Sequence, residues 1–301
     1  MLFVIRSGDT SVPLATARAV AVAHGVECDD AVVIASGSNV LVHLKPAPLV
    51  ARVMVGTAVL HDDVSTWLQR EVAVGVFVAE RGGPIVPPSD LLPPGPYQHD
   101  GIWMTFWTFV PHDLSDVPPD AREVGRSLRE LHRVLADFSG ELGSLAGVRN
   151  DIERQLAEVR PCSWLSALDI DLLRYELQRL TPAVFETCLP TQPLHGDVSL
   201  SNVLCSRPRL LWNDLEDVCA GPIRWDVAGL VTSARARERS DKYVDEMLSA
   251  YGGPGLDDLD AFVAAHGLYA AVWQTFDVQR RSCARTTAPR GLAQWREQLV
   301  H

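Results

Sequence analysis

Asp197, Asn202 and Asp214 are the side chains whose types and spacing could do chemistry. The first two lie in Leu194-His195-Gly196-Asp197-Val198-Ser199-Leu200-Ser201-Asn202-Val203-Leu204-Cys205, and the third opens Asp214-Leu215-Glu216-Asp217. Between them, the apolar runs Val203 to Cys205 and Leu210 to Trp212 are joined by Ser206-Arg207-Pro208-Arg209 and read as a hairpin. Acidic and amide groups then flank the hairpin at both ends, which brings the three residues within reach of one another. Hard oxygen ligands of this kind suit magnesium, which takes one or two carboxylates plus phosphate oxygens and water. Phosphoryl transfer asks for little else. Its transition state is loose, so catalysis consists of positioning the nucleophile and neutralising phosphate charge. One carboxylate can orient a hydroxyl while another binds metal. Taken singly, each residue is simply a good turn former; the ordered set is what points to chemistry.

These residues need elements to hold them. Val12 to Val26 is Ala-rich and reaches Gly25, which predicts an N-terminal helix with a glycine just past its end. Three short β-branched runs follow, Ala31 to Ala35, Val40 to Leu44 and Leu49 to Val55, separated by Ser36-Gly37-Ser38-Asn39 and Lys45-Pro46-Ala47-Pro48. That spacing predicts an antiparallel meander. Residues 62 to 81 carry Val64, Trp67, Leu68, Val72, Val76 and Val78 at helical intervals. The proline-rich stretch from Gly82 to Asp100 reads as a connection into a strand over the aromatic run Ile102 to Val110. After Pro111 the character turns helical, over 120 to 137 with Leu128, Leu131 and Leu135 on one stripe, over 150 to 180, and beyond Asp226. The change near residue 110 predicts a strand-rich part, 1–110, and a helix-rich part, 111–301.

The 301 residues, 47% of them hydrophobic, are enough to fill a substantial core. A net charge of −11 disfavours nucleic acid, whose phosphates demand clustered Lys and Arg. Cys28, Cys162, Cys188, Cys205, Cys219 and Cys283 show neither a C-x-x-C pair nor a His at ligand spacing, so no zinc site or disulfide framework is expected. The apolar start, Met1 to Arg6, is too short for a signal-peptide core, and no run approaches a membrane span. A cytoplasmic, reduced protein is the expectation, with no membrane partner.

In its H-G-D-x-x-x-x-N loop, its Asp-led motif after a hairpin, and its trailing Gly221-Pro222-Ile223-Arg224-Trp225-Asp226-Val227-Ala228, the chain resembles the aminoglycoside phosphotransferase family. These are bacterial small-molecule relatives of protein kinases. The resemblance implies an α+β, protein-kinase-like bilobal fold, with an antiparallel sheet and helices in the N-terminal lobe and a larger helical C-terminal lobe. It implies Asp197 as catalytic base or hydroxyl-orienting residue, Asn202 and Asp214 as ligands of Mg2+, and His195 and Asp226 as support for the loop. Asp226 before an apolar run is also a good helix N-cap. ATP or GTP would be the co-substrate. Ser36, Gly37, Ser38 and Asn39 would form the loop over its phosphates, and Thr108 and Val110 would meet the base. The family's phosphate-binding lysine falls on Arg52, paired with Glu71; Arg keeps the charge with a different shape. Lys45 is the fallback for that role.

The acceptor, a small molecule with a hydroxyl group, would meet Asp217 and the helices after the metal motif. Tyr269, Trp273 and Asp277 are four apart and share one helical face, with Phe276 and Arg280 beside them; core packing explains such aromatics equally well. Residues 227 to 301 carry equal numbers of acidic and basic side chains, so a polycationic acceptor is not singled out. An antibiotic kinase, a metabolic kinase of an amino alcohol, sugar or amino acid, and a regulatory pseudokinase that binds nucleotide without turnover all fit, as monomer or homodimer.

Overall fold

Every residue of the strand Leu49–Met54 is buried, as befits a strand with neighbours on both edges and cover on both faces. In a computed structural model of the chain, which describes residues 10–56, 61–113, 115, 117–252, 258–281 and 287–298, this is β3. It is the centre of a five-stranded antiparallel sheet with order β1-β2-β3-β5-β4, where β1 is Cys28–Ser36, β2 Asn39–Pro46, β4 Tyr97–His99 and β5 Ile102–Thr108. Helix α1, Ser11–Ala23, lays Ala17, Val20 and Ala21 on a core that includes Val42, Leu44, Ala51, Val53, Met104 and Phe106. Gly25 follows it at φ +79°, the left-handed position a glycine favours past a helix end. Helix α2, Val64–Glu80, is capped by Asp63 accepting from the Thr66 amide and packs Trp67 and Leu68 on Met54.

The proline-rich connection holds one strand more than its composition predicts. Asp100 and Gly101, at φ +50° and +77°, make the two-residue turn that folds β4 back onto β5.

The chain divides into two compact units, 1–116 with 204–216, and 117–203 with 217–301. The hairpin of β8, Val203–Ser206, and β9, Arg209–Trp212, forms as expected. Its second strand is stitched into the first unit, where the Val86 amide donates to the Trp212 carbonyl and the Trp212 amide to that of Pro84, each at 2.8 Å.

In the second unit, helix α3, Ala121–Leu135, buries Val124, Leu128, Leu131 and Leu135 along one stripe. The predicted helical stretch 150 to 180 is two helices, α4 Leu145–Glu158 and α5 Ala167–Val184. Pro161 lies in the break, and a capping box of Ser166 and Asp169 starts the second helix. Helices α6 Arg224–Ala236, α7 Asp241–Tyr251, α8 Asp260–Arg281 and α9 Arg290–Gln298 complete it. A small sheet of β6 Gly143–Ser144, β10 Cys219–Gly221 and β7 Gln192–Leu194, in the order β6-β10-β7, sets up the loop that follows β7.

Among the described residues no helix is long and apolar enough to cross a membrane. Cys28, Cys162, Cys188, Cys205 and Cys219 are free thiols. Cys283 and the apolar start Met1 to Arg6 lie outside the described residues.

Helices α3 and α7 touch backbone to backbone at Gly125, where a Cβ would lie 2.1 Å from the Met247 carbonyl oxygen. Gly125→Ala is expected to force the two helices apart and lower stability by about 1–3 kcal/mol in urea unfolding.

Candidate active site

The loop after β7 is fixed almost atom by atom to α6. Asp226, fully buried in the first turn of that helix, accepts from the backbone amides of His195 at 2.8 Å and Gly196 at 3.0 Å. Its Oδ2 also lies 2.9 Å from His132 Nε2 on α3, and His132 Nδ1 is 2.8 Å from the Tyr251 hydroxyl on α7. Burial pushes the Asp226 carboxyl up, but the hydrogen bond and charge of His132 and the His195 amide outweigh it and hold the group below its ordinary value. The Trp225 indole N–H donates to the Gly196 carbonyl at 2.7 Å, and Ser233 Oγ accepts from the Leu200 amide at 2.8 Å. Asp226, Gly229 and Ser233 are three and four residues apart, so one face of α6 grips the loop. Gly196 itself, at φ +91°, has the Asp217 carbonyl 1.9 Å from where a Cβ would stand; no other residue fits there.

That scaffold brings Asp197 and Asn202 together. Asn202 Nδ2 donates to the Asp197 carbonyl at 2.9 Å and to its Oδ2 at 3.1 Å, and the Asp197 amide donates to His195 Nδ1 at 3.4 Å. His195 is wholly buried.

In the first unit, Arg52 is the one charged residue of the buried strand β3, and it gathers three carboxylates. Its Nη1 lies 2.8 Å from Glu71 Oε1, its Nη2 lies 2.7 Å from Asp214 Oδ1, and Nη2 also donates to Glu216. Glu216 in turn accepts from Asn39 Nδ2 at 3.1 Å. Arg52, Glu71 and Glu216 are 5%, 0% and 8% exposed, so this is a buried hub and not a surface ion pair. Burial pushes Glu71 up to about 7 and Glu216 up to about 8 against the pull of Arg52, with Asp214 adding repulsion to both. Asp214 is the most exposed member, with about a third of its side chain accessible, and it sits at φ +64°. An L-residue there is uncommon and places strain at that turn. Glu216 escaped the sequence reading; its signal was a second acid two residues beyond Asp214.

The sequence pattern of the phosphotransferase enzyme family matches residues 35–262. The chain belongs to that family. None of the curated proteins matches this phosphotransferase in sequence. Similar solved structures include amicoumacin kinase hAmiN in complex with AMP-PNP, Ca2+ and Ami, with a TM-score of 0.73 at 10% identity over 96% of this chain and 94% of that one. Choline kinase LicA from Streptococcus pneumoniae gives 0.68 at 12% over 96% and 98%. The GDP and kanamycin complex of APH(2")-IIia gives 0.63 at 13% over 96% and 98%. The protein is thus a small-molecule phosphotransferase with the mixed α+β, protein-kinase-like fold that its motifs implied.

The remaining predicted residues of the phosphotransferase fall as follows. Ser36 ends β1, Asn39 begins β2, and the turn between them is closed by the Gly37 amide donating to the Asn39 carbonyl at 2.9 Å. Gly37 has neither a positive φ nor any atom within 4 Å of a would-be Cβ, so internal packing does not require its glycine. Thr108 donates its amide to Pro87 at 2.9 Å, and the Val110 carbonyl lies 2.8 Å from His112 Nδ1. Lys45 is exposed at the end of β2.

On α8, Tyr269, Trp273 and Asp277 are each half-buried. Tyr269 meets Trp225 and His266 edge-on, Trp273 packs on Phe276, and Asp277 pairs with Arg281 at 2.8 Å. Phe276 belongs to the core. Among the described residues no group of three or more His, Cys, Asp or Glu forms a ready metal cage. Magnesium, which relies on water and phosphate for most of its shell, needs none.

A carboxyl whose folded pKa exceeds its unfolded value binds the extra proton in the native state, so stability falls as pH rises between the two values. For Glu71 that window runs from 4.5 to about 7. Chemical denaturation of wild type and Glu71→Gln between pH 5 and 7.5 is expected to show the wild type losing about 1–3 kcal/mol more than the variant. Gly196→Ala is expected to abolish folding of the loop, read as lost protease resistance of residues 195–202.

Proposed function

We propose that this phosphotransferase moves the γ-phosphoryl group of ATP or GTP to a hydroxyl of a small polar molecule. Asp197 orients or deprotonates the acceptor hydroxyl, and Asn202 and Asp214 hold Mg2+. The observation that carries the reading is the Asn202 to Asp197 contact on a loop immobilised by Asp226. With its amide nitrogen directed at Asp197, Asn202 keeps its carbonyl oxygen as the ligand-type atom. A general base must be held within about 0.5 Å of its working position to be useful, and the α6 face supplies that rigidity.

Charge supports the metal assignment. Burial and mutual repulsion among the three carboxylates around one guanidinium disfavour their full ionisation, and a divalent cation at Asp214, a third of whose side chain is accessible, would favour it. The ion would supply neutralisation of the phosphate oxygens. Ser36, Gly37, Ser38 and Asn39 would cover the phosphates, where the unneeded side chain at Gly37 leaves room for close backbone approach. Thr108 and Val110 would lie near the base, and Asp217, Tyr269, Trp273 and Asp277 near the acceptor. The division of labour places nucleotide contacts within residues 1–110 and acceptor contacts within 111–301.

Acceptors named for the similar structures range from an antibiotic to choline, so the acceptor here is an antibiotic or another polar metabolite such as an amino alcohol, sugar or amino acid. A second reading, nucleotide binding without turnover, is favoured by one observation: the guanidinium of Arg52 is already engaged by carboxylates on two sides.

A screen of ADP or GDP release over aminoglycosides, tuberactinomycin-type peptides, macrolides, hexosamines and amino alcohols separates these readings. The expected result is acceptor-dependent, magnesium-dependent release that falls about 10²–10⁴-fold in Asp197→Asn. Tight nucleotide binding with no release across the panel would establish the second reading, and full activity of Asp197→Asn would remove the first.

A further inference from the structure

His266 is a buried titratable residue that none of the roles above employs. It lies within α8 at 4% exposure, and neither ring nitrogen has a hydrogen-bond partner among the described residues. Leaving a buried polar atom unpaired costs about 1–3 kcal/mol, whereas a phenylalanine would fill the space without that cost. Burial lowers its pKa to about 4 against the pull of Asp226, so the ring is neutral at physiological pH, with one N–H and one bare nitrogen.

Its surroundings connect it to the catalytic loop. At Gly229 of α6, a Cβ would lie 2.5 Å from the Val198 carbonyl oxygen and 2.7 Å from His266 Nε2. Only a glycine lets the loop and the imidazole converge on that point of the helix. The ring also stands 5.0 Å from Trp225, whose indole holds the Gly196 carbonyl, and 5.5 Å from Tyr269.

The loop is tethered at successive peptide groups. Asp226 takes the His195 and Gly196 amides, Trp225 the Gly196 carbonyl, Asn202 the Asp197 carbonyl, and Ser233 the Leu200 amide. The Val198 carbonyl oxygen, one residue beyond Asp197, and His266 Nε2 both border the same point beside Gly229.

We propose that His266 is a positioning residue for phosphoryl transfer: its Nε2–H donates through one bound water to the Val198 carbonyl and so fixes the Val198–Ser199 peptide, one residue beyond Asp197. A bridging water is at home between two such polar groups. The inference rests on the reading of residues 195–202 as the catalytic loop. It also gives the buried ring a reason to be polar, and it joins α8, which carries Tyr269, to the loop.

The test compares wild type, His266→Phe, His266→Gln and Asp197→Asn for thermal stability and for turnover of Mg-ATP or Mg-GTP with the acceptor found above. His266→Phe is expected to melt at or above the wild-type temperature, to keep the nucleotide KM, and to lose about 10- to 100-fold in kcat through misplacement of Asp197. His266→Gln, with an amide donor at a similar reach, should recover most of that loss. A folded His266→Phe with wild-type kcat overturns the proposal and leaves His266 a core residue. If Asp197→Asn also keeps wild-type turnover, the catalytic-loop reading has failed instead. Imidazole 15N NMR of the wild-type protein needs neither turnover nor a variant: an Nε2–H tautomer with a slowly exchanging proton is expected, and an Nδ1–H tautomer overturns the proposal.

Discussion

Asp226 has no exposed surface, yet it is ionised, because two loop amides and the His132 ring supply the interactions that water would otherwise give. A buried carboxylate with fewer partners would protonate or unfold its surroundings. The requirement runs in both directions. The loop must adopt the one path that points both amides at the carboxylate, and α3, α6 and α7 must hold His132 and Tyr251 where they complete the set. The glycines follow from the same demand: Gly196 because the path passes against the Asp217 carbonyl, Gly125 because α7 must come close to α3, and Gly229 because the loop presses on α6.

The first unit is organised around the opposite sign. Arg52 occupies a strand whose other residues are apolar and buried, so its charge must be met inside the protein. Glu71 arrives from α2, while Asp214 and Glu216 arrive from the turn after β9, and Glu216 reaches on to Asn39 at the start of β2. One guanidinium thus ties three separate pieces of chain. A lysine, with a compact ammonium in place of a planar fork, would not hold carboxylates on two sides in this manner.

Local chemistry made much of this readable from the sequence. The meander, the hairpin and α3 announce themselves through alternating or helical periodicity, and the H-G-D-x-x-x-x-N and D-x-E-D runs mark their own importance. What stayed hidden depends on contacts distant in sequence. The β4 strand was masked by prolines although Asp100-Gly101 is a strong turn signal; the break between α4 and α5 was announced only by Pro161. His132 reads as one more packed helical residue until its two ring nitrogens are seen to face Asp226 and Tyr251. The grip of α6 is legible in hindsight, in the three-and-four spacing of Asp226, Gly229 and Ser233, but only once it is known that a loop lies along that face.

That grip has a consequence for how the loop moves. The amide hydrogens of His195, Gly196 and Leu200 each end on a side chain of α6 and not on a neighbouring strand or on water. Their exchange with solvent therefore requires the loop and α6 to separate, which couples the opening of the loop to the packing of that helix. A connection that its length alone would class as pliable is buried at His195, Val198 and Leu200 and held side chain by side chain to a helix.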